Sequence, residues 1–305
     1  MIETVPYAGW KSCKRLANQE VEVIVTQEVG PRIVRFAFLG GQNQFHEFPE
    51  QMGKTGGDEW RIFGGHRLWH SPEEKPRSYM PDNSPIEVTE VSQGLRAVQP
   101  TEPETGIQKE MLIQISATKA HVRVTHRLTN RGQWGVELAP WALSVMAQGG
   151  TAVVPEPTAQ APYGLLPNRT LVLWPYSNLS DPRHVWGNEL ILLHQDPKAS
   201  APTKFGINNV HGWGAYVNGG TTFVKKFPYF EGVEYVDGGC SMECYTAADF
   251  LELESLGPLH LLDPGDTAEH VEDWFLLKGG DASSEQAAKS TVVPLVADLE
   301  SDLDD

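Results

Sequence analysis

The chain of 305 residues carries 40 acidic and 24 basic side chains, a formal charge of -16 that opposes phosphate neutralisation and argues against nucleic acid or an anionic membrane surface as partner. Its 40% hydrophobic share suffices for one large core, and no stretch approaches the roughly 18 uninterrupted apolar residues of a membrane helix. The opening MIETVPYAGWKSCKRLANQ has no basic segment followed by an apolar one, so the protein reads as soluble and cytoplasmic.

Glycine (29) and proline (22) are scattered along the chain, which predicts many short elements and many turns. EVEVIVTQ (20–27) alternates apolar and polar residues, and GPRIVRFAFLGGQNQ (30–44) reads as a strand running into a Gly-Gly-Gln-Asn turn. IEVTEVSQGLRAVQ (86–99) reads as a hairpin, and MLIQISAT pairs with HVRVTHRLTN across Lys119 and Ala120. Further strands fall at 170–176, 213–218, 221–227, 240–246 and 250–256. The period is two throughout, and no helix longer than two turns is expected before residue 283. Strands at this spacing predict an all-β, antiparallel sandwich or barrel in one domain over residues 1–280.

Residues 281–305 differ, with seven acidic side chains against one basic. They read as an acidic tail whose last residues, ADLESDLDD, are solvated and mobile, while Val292, Val293, Leu295 and Val296 form a segment able to dock. The three cysteines cannot form a closed disulfide set. Cys240 and Cys244 on one strand would lie about 13 Å apart, beyond bridging range, so free buried thiols are expected.

Phosphate-cradling, dinucleotide, H-E-x-x-H and G-x-S-x-G motifs are all missing, which leaves His, Trp, Lys and Glu on strands as the chemistry-bearing residues. In FLELESLGP (250–258) strand alternation turns Leu251 and Leu253 to the core and Glu252 and Glu254 to the other face. Folding CSMECYT back at Ala247 and Ala248 sets Glu243 opposite Glu252. Adjacent carboxylates raise one another's pKa, which suits general acid or base work; the alternative is a wet, solubilising face.

In RIFGGHRLWHSPE (61–73), His66 and His70 bracket Arg67 and Trp69, a mixture suited to a sugar ring with hydrogen-bond donors around it. A structural role is the alternative. The H-x-x-x-H spacing also admits a metal, but no third ligand follows at a recognised distance, so none is assigned. Lys204, His211 and Lys225, with Trp213, stand on or beside two paired strands. They offset the glutamates or grip an acidic ligand, unless they are surface lysines beside a core tryptophan.

With these residues in place, residues 18–278 resemble the galactose mutarotase-like superfamily, which includes the aldose 1-epimerases. GPRIVRFAFLGGQNQFHEF looks like the family's first hairpin, and THRLTNRGQWGVELAPWALSV (125–145) like its strand ending in Thr-Asn. FLELESLGPLHLLDPGDTAEHVEDWFLL is similar to the strand bearing the catalytic glutamate, the following Pro-Gly-acid turn and the last strand. GGHRLWHSPE and LELESLGP resemble a bacterial branch of the group. The resemblance implies a large antiparallel supersandwich with a sugar site and no metal or redox cofactor. It implies Glu254 as base, with Glu252 next in line. Where the family places a general-acid histidine this chain reads Ala139, Pro140, Trp141, so His70, ahead of His66 and His211, is the expected substitute. Trp69 and Trp141 would stack on the sugar, and Arg67, Lys204, Lys225 and Glu243 would line its polar edge. The expected function is binding of a sugar or sugar acid, with an aldose 1-epimerase-like isomerase as the leading activity. The alternative is a non-catalytic carbohydrate-binding domain; a glycoside hydrolase or polysaccharide lyase fits less well. Oligomeric state is not legible.

Overall fold

Alternation of apolar and polar residues folds the chain into two antiparallel sheets stacked face to face. The computed structural model describes residues 1–158 and 165–303. The first sheet runs in the order β1 (Ile2–Tyr7), β2 (Trp10–Ala17), β3 (Val21–Thr26), β4 (Arg32–Phe38), β5 (Gly65–Ser71), β10 (Val136–Met146), β19 (Leu251–Leu256), β18 (Met242–Thr246), β15 (Thr203–Ile207) and β12 (Leu171–Leu173), with β20 (His260–Leu262) paired to the start of β10. The second runs β13 (His184–Trp186), β14 (Leu190–His194), β11 (Thr151–Pro155), β16 (Trp213–Asn218), β17 (Thr221–Lys226), β21 (Thr267–Lys278), β9 (His121–Asn130), β8 (Ile107–Ile115), β7 (Gly94–Val98) and β6 (Glu87–Val91). This is the all-β sandwich that the turn density predicts.

The core fills the space between the sheets. Val23, Phe36, Leu68, Leu251 and Leu253 from the first sheet meet Met111, Val124, Phe223 and Trp274 from the second. Each such side chain withdrawn from water contributes about 1.5–3 kcal/mol. Burial on this scale fixes register, because a one-residue slip turns a strand's whole apolar set outward. The two predicted hairpins form, as β6–β7 and β8–β9.

Two glycines admit β5 to the sheet. Gly64 and Gly65 have φ of 99° and 71°, and a Cβ on Gly65 would lie 2.4 Å from the Ile33 carbonyl oxygen. A side chain there would push β5 off β4 and displace the residues that follow it.

The C-terminal segment differs from the solvated tail that its charge suggests. Helices Glu285–Thr291 and Val293–Ala297 lie against the outer face of the second sheet, the first capped by Ser284 Oγ, which accepts from the Ala287 amide. Ala288, Val292 and Val296 recur every fourth residue and pack with Val153, Leu192, Val224 and Phe275. Glu285, the one acid within these two helices, also faces the sheet, where its Oε1 accepts from the Glu189 and Leu190 amides at 2.7 and 3.1 Å. Asp302 is also tied down, 2.7 Å from both His121 Nδ1 and Ser116 Oγ. The last two residues of the expected tail lie outside the described residues. Cys13, Cys240 and Cys244 are free and buried, with Cys240 in the turn before β18 and not on it. Among the described residues no helix is long and apolar enough to cross a membrane.

Candidate functional site

The first sheet's outer face, turned away from the second sheet, gathers the charged residues that alternate with core positions. Register sets them side by side: Trp69 pairs with Trp141, Trp141 with Leu256, Leu143 with both Arg67 and Glu254, and Glu254 with Glu243. The expectation that Glu243 opposes Glu252 is corrected here, since Tyr245 holds that position. The β18–β19 turn is centred between Ala248 and Asp249, one residue later than the sequence suggested, and this moves every pair by two.

The glutamates do not form a wet face. Glu243 and Glu254 are fully buried and Glu252 is 8% exposed. Lys204 Nζ sits 2.6 Å from Glu243 Oε2 and 3.1 Å from Glu254 Oε2, and Trp141 Nε1 donates to Glu254 Oε2 at 2.8 Å. The ammonium is flanked by the rings of Trp141 and Trp174, at 4.8 and 4.5 Å from their centroids. Arg67 donates to Glu252 Oε1 at 2.8 Å and stacks over Trp69 at 4.6 Å. Burial pushes both Glu243 and Glu254 above the usual carboxylate range, with Lys204 opposing and a neighbouring carboxylate adding to the rise. Burial also works against the Lys204 ammonium, but its two carboxylate neighbours outweigh it and hold the proton on. Glu254 Oε1 and Glu243 Oε1 have no protein hydrogen-bond partner.

A pocket of about 420 Å³ adjoins this cluster through Trp141 and Trp174, which separate it from Lys204 and Glu254. Trp141 and Trp174 line it together with Tyr79, Lys75 and three acids, Glu73, Glu74 and Asp237. Trp174, Tyr79 and Asp237 escaped the sequence reading. Trp174 follows directly on a strand that was recognised, but nothing local says that β12 pairs with β15 and so comes beside Lys204. His46 was also passed over. Its ring stacks 6.4 Å from that of Phe250, which lies 5.8 Å from Tyr245 at the aromatic edge of this face.

The structure separates His66, His70, His211 and Lys225 from the glutamates. On β5 the side chains alternate, so Arg67 and Trp69 face outward while His66 and His70 turn toward the space between the sheets. His66 Nδ1 meets Ser144 Oγ at 2.9 Å and its Nε2 meets His126 Nε2 at 2.7 Å. Lys225 enters the same interior from the second sheet, 2.8 Å from Glu272 Oε1, and donates to the Leu253 carbonyl at 3.0 Å. Ser255 and Trp274 also donate to Glu272, and His270 Nε2 meets Ser255 Oγ at 2.7 Å. This polar island is buried throughout. Among the described residues, ligand atoms of His66, His126 and Glu272 form the one group that converges within 4.8 Å. The Lys225 ammonium already balances the carboxylate there, which opposes a second cation in a solvent-free site.

His70 lies at one end of the sandwich, its Nε2 3.5 Å from Glu102 Oε2. His211 precedes β16 and donates from Nε2 to the Glu156 carbonyl at 3.0 Å. Among the described residues no histidine bonds Glu243, Glu252 or Glu254.

No protein-family model matches the sequence, and no curated protein matches it. Solved structures do match in fold. A candidate aldose 1-epimerase from Klebsiella pneumoniae superposes with a TM-score of 0.59 at 11% identity, covering 95% of this chain and 85% of its own. A galactose mutarotase-like protein from Lactobacillus casei gives 0.57 at 10% identity, covering 87% and 100%. A galactose mutarotase related enzyme from Lactobacillus acidophilus gives 0.55 at 8% identity, covering 88% and 98%. The chain has the galactose mutarotase-like fold.

Proposed function

We propose that the protein binds a sugar in the pocket over Trp141 and Trp174 and acts on its anomeric centre as an aldose 1-epimerase-like isomerase. The observation that carries this reading is the buried Glu243–Lys204–Glu254 cluster beside an aromatic-lined pocket. Indole rings offer apolar faces to a pyranose, while polar groups around them orient its hydroxyls. Glu254 accepts the proton of the anomeric hydroxyl through Oε1, the oxygen without a protein partner. Glu243, kept protonated by burial, returns a proton to the ring oxygen; the ring opens, C1–C2 rotates, and closure on the other face inverts the anomer. Lys204 holds the two carboxyl groups in one geometry and stabilises the charged one. Glu73, Glu74 and Asp237 outnumber Lys75 around the pocket, and Lys204 is already paired, which supports a neutral sugar over a sugar acid.

A second reading, carbohydrate binding without turnover, is favoured by one observation. Ala139, fully buried, stands where the resemblance would put the acid histidine. Anomer exchange followed by NMR across neutral sugars, uronic acids and sugar phosphates separates the two. Accelerated exchange of a neutral sugar supports the isomerase; saturable binding with no acceleration leaves the binding domain.

A further inference from the structure

The end of the chain is held to the second sheet by a histidine that stands between two carboxylates. His121, at the start of β9, is fully buried; its Nδ1 lies 2.7 Å from Asp302 Oδ1 and its Nε2 lies 2.7 Å from Asp273 Oδ1. It pairs with Phe275 of β21 and stacks on that ring at 4.4 Å with the planes 7° apart, which fixes the directions of both nitrogens. A carboxylate only accepts, and a neutral imidazole has one N–H and one lone pair. Both contacts are therefore hydrogen bonds only when the ring carries two protons. In either neutral tautomer a nitrogen lone pair faces a carboxylate oxygen at 2.7 Å.

The proton belongs on the ring and not on the acids, because other donors hold both acids in their charged form. Arg123 donates to Asp273 from Nε and Nη2 at 3.1 and 3.2 Å, and Ser116 Oγ donates to Asp302 Oδ2 at 2.7 Å. Burial works to raise each carboxyl. It is outweighed by His121 and Arg123 at Asp273 and by Ser116 and His121 at Asp302, so both stay below the usual carboxylate range.

Of the two acids, Asp273 belongs to the sheet and Asp302 to the chain end. Lys119, in the turn before β9, adds its charge beside Asp302. Lys226 and His211 stand across a cavity of about 440 Å³ that Arg123 and Asp273 also line, and Lys226 Nζ donates to the Leu299 carbonyl at 2.7 Å. The helix at 285–291 is anchored elsewhere, through Glu285 at the start of β14, with β11, β16, β17 and β21 between it and β9. The two ends of the C-terminal segment thus have separate attachments, and His121 serves the second.

We propose that His121 is a proton-operated latch for the chain end: with both ring protons it ties residues 299–303 to the second sheet through Asp302, and on losing one it releases them while the helix at 285–291 stays docked. Docking of the end takes up a proton, so the latch is closed at acidic to neutral pH and opens as pH rises. It lies on the second sheet and is independent of sugar chemistry at Glu254.

The test is amide hydrogen exchange by NMR on the full chain at about pH 6.5 and 8.5, on either side of the range in which imidazoles release a proton, each rate divided by that of an unstructured chain at the same pH. Protection at Leu299 and Leu303 should fall by about tenfold between the two, the worth of one charge-assisted hydrogen bond, while Val292, whose amide donates to the Ala288 carbonyl, should hold. Asp302→Asn, close to the chain end and therefore no threat to the sandwich, should make protection at Leu299 and Leu303 independent of pH, because an amide can accept from a ring N–H or donate to a ring lone pair. The ring nitrogens of His121 should both carry protons at about pH 6.5 in the natural protein. Equal protection at both pH values, or a single neutral tautomer at the lower one, would overturn the proposal. So would a fall shared by Val292, which means general loosening, or a pH dependence that persists in both Asp302→Asn and His121→Gln, which would pass the effect to His211.

Discussion

Lys204 and Lys225 approach β19 from opposite faces: Lys204 Nζ lies 3.1 Å from the Glu254 carboxylate on the outer side, while Lys225 donates at 3.0 Å to the Leu253 carbonyl from the inner side. One strand thus divides two buried charge clusters. The outer cluster is covered by Trp141 and Trp174, which a pocket adjoins, the inner one by core side chains of both sheets. Under the proposed function Lys204 serves the site and Lys225 the core, so substitutions at the two should separate cleanly.

Lys225→Met leaves Glu272 without its cation in a fully buried position. Breaking one partner of such a pair costs about 3–5 kcal/mol. Chemical denaturation should show a loss of that size, and adding Glu272→Gln should recover part of it. A loss below about 1 kcal/mol would mean that Ser255 and Trp274 alone satisfy the carboxylate.

Acid should unfold the protein through the inner cluster. Burial pushes His126 and His270 down to about 3, against an unfolded value of about 6.5. Depressed values mean that the unfolded chain binds the extra protons. Stability is therefore complete above pH 6.5 and falls as pH drops toward 3, by about 1.4 kcal/mol per pH unit for each histidine. Lys225 and Glu272 face the same cluster, the first disfavouring and the second favouring protonation of His270. Urea midpoints between pH 7 and 4.5 measure the slope, which should flatten in His126→Gln whatever its absolute stability.

Glu254→Gln keeps volume and a hydrogen-bonding amide but cannot accept the proton. For an isomerase the anomer-exchange rate should fall by about 10²–10⁴-fold with sugar affinity nearly unchanged. Glu252→Gln, whose partner is Arg67, should alter affinity more than rate. The reverse pattern would transfer the base to Glu252.

Trp174→Ala removes one of the pocket's two indoles and one ring over the Lys204 ammonium. Sugar affinity should drop about tenfold by loss of stacking area, and intrinsic fluorescence quenching by sugar should shrink with it. Undiminished affinity would move the sugar off this pocket.

Deleting residues 282–305 uncovers Val224, Phe275 and Leu192. Several buried aliphatic contacts at about 1.5–3 kcal/mol each should lower Tm by about 10 °C or more. A shift of only a degree or two would restore the solvated-tail reading.

Much of the outer face was legible from alternation alone. FLELESL assigns leucines inward and glutamates outward without reference to any other strand, and Arg67 and Trp69 share an outward parity that GGHRLWH already contains. Applied to His66 and His70, the same parity rule would have turned them inward. Grouping them with Arg67 by proximity in sequence, and not by face, is what merged two environments into one.

Other features depend on partners that no local pattern names. Glu243 meets Glu254 because of where the turn after Thr246 is centred, a one-residue matter decided by closure of the loop. Lys225 is buried because its strand pairs with Lys225 opposite Trp274, which turns the lysine toward Glu272. Trp174 joins the site because β15 brings β12 to the sheet edge.

The sequence by itself determined the fold class, the inward and outward faces of β19, and the charge that argues against nucleic acid, because period, turn chemistry and composition are properties of local chain. Tertiary structure alone decided which carboxylates share Lys204, which histidines are sealed between the sheets, and where the acidic C-terminal segment docks. Those outcomes depend on register between strands far apart in sequence, and a shift of one residue in a turn moves a pairing by two.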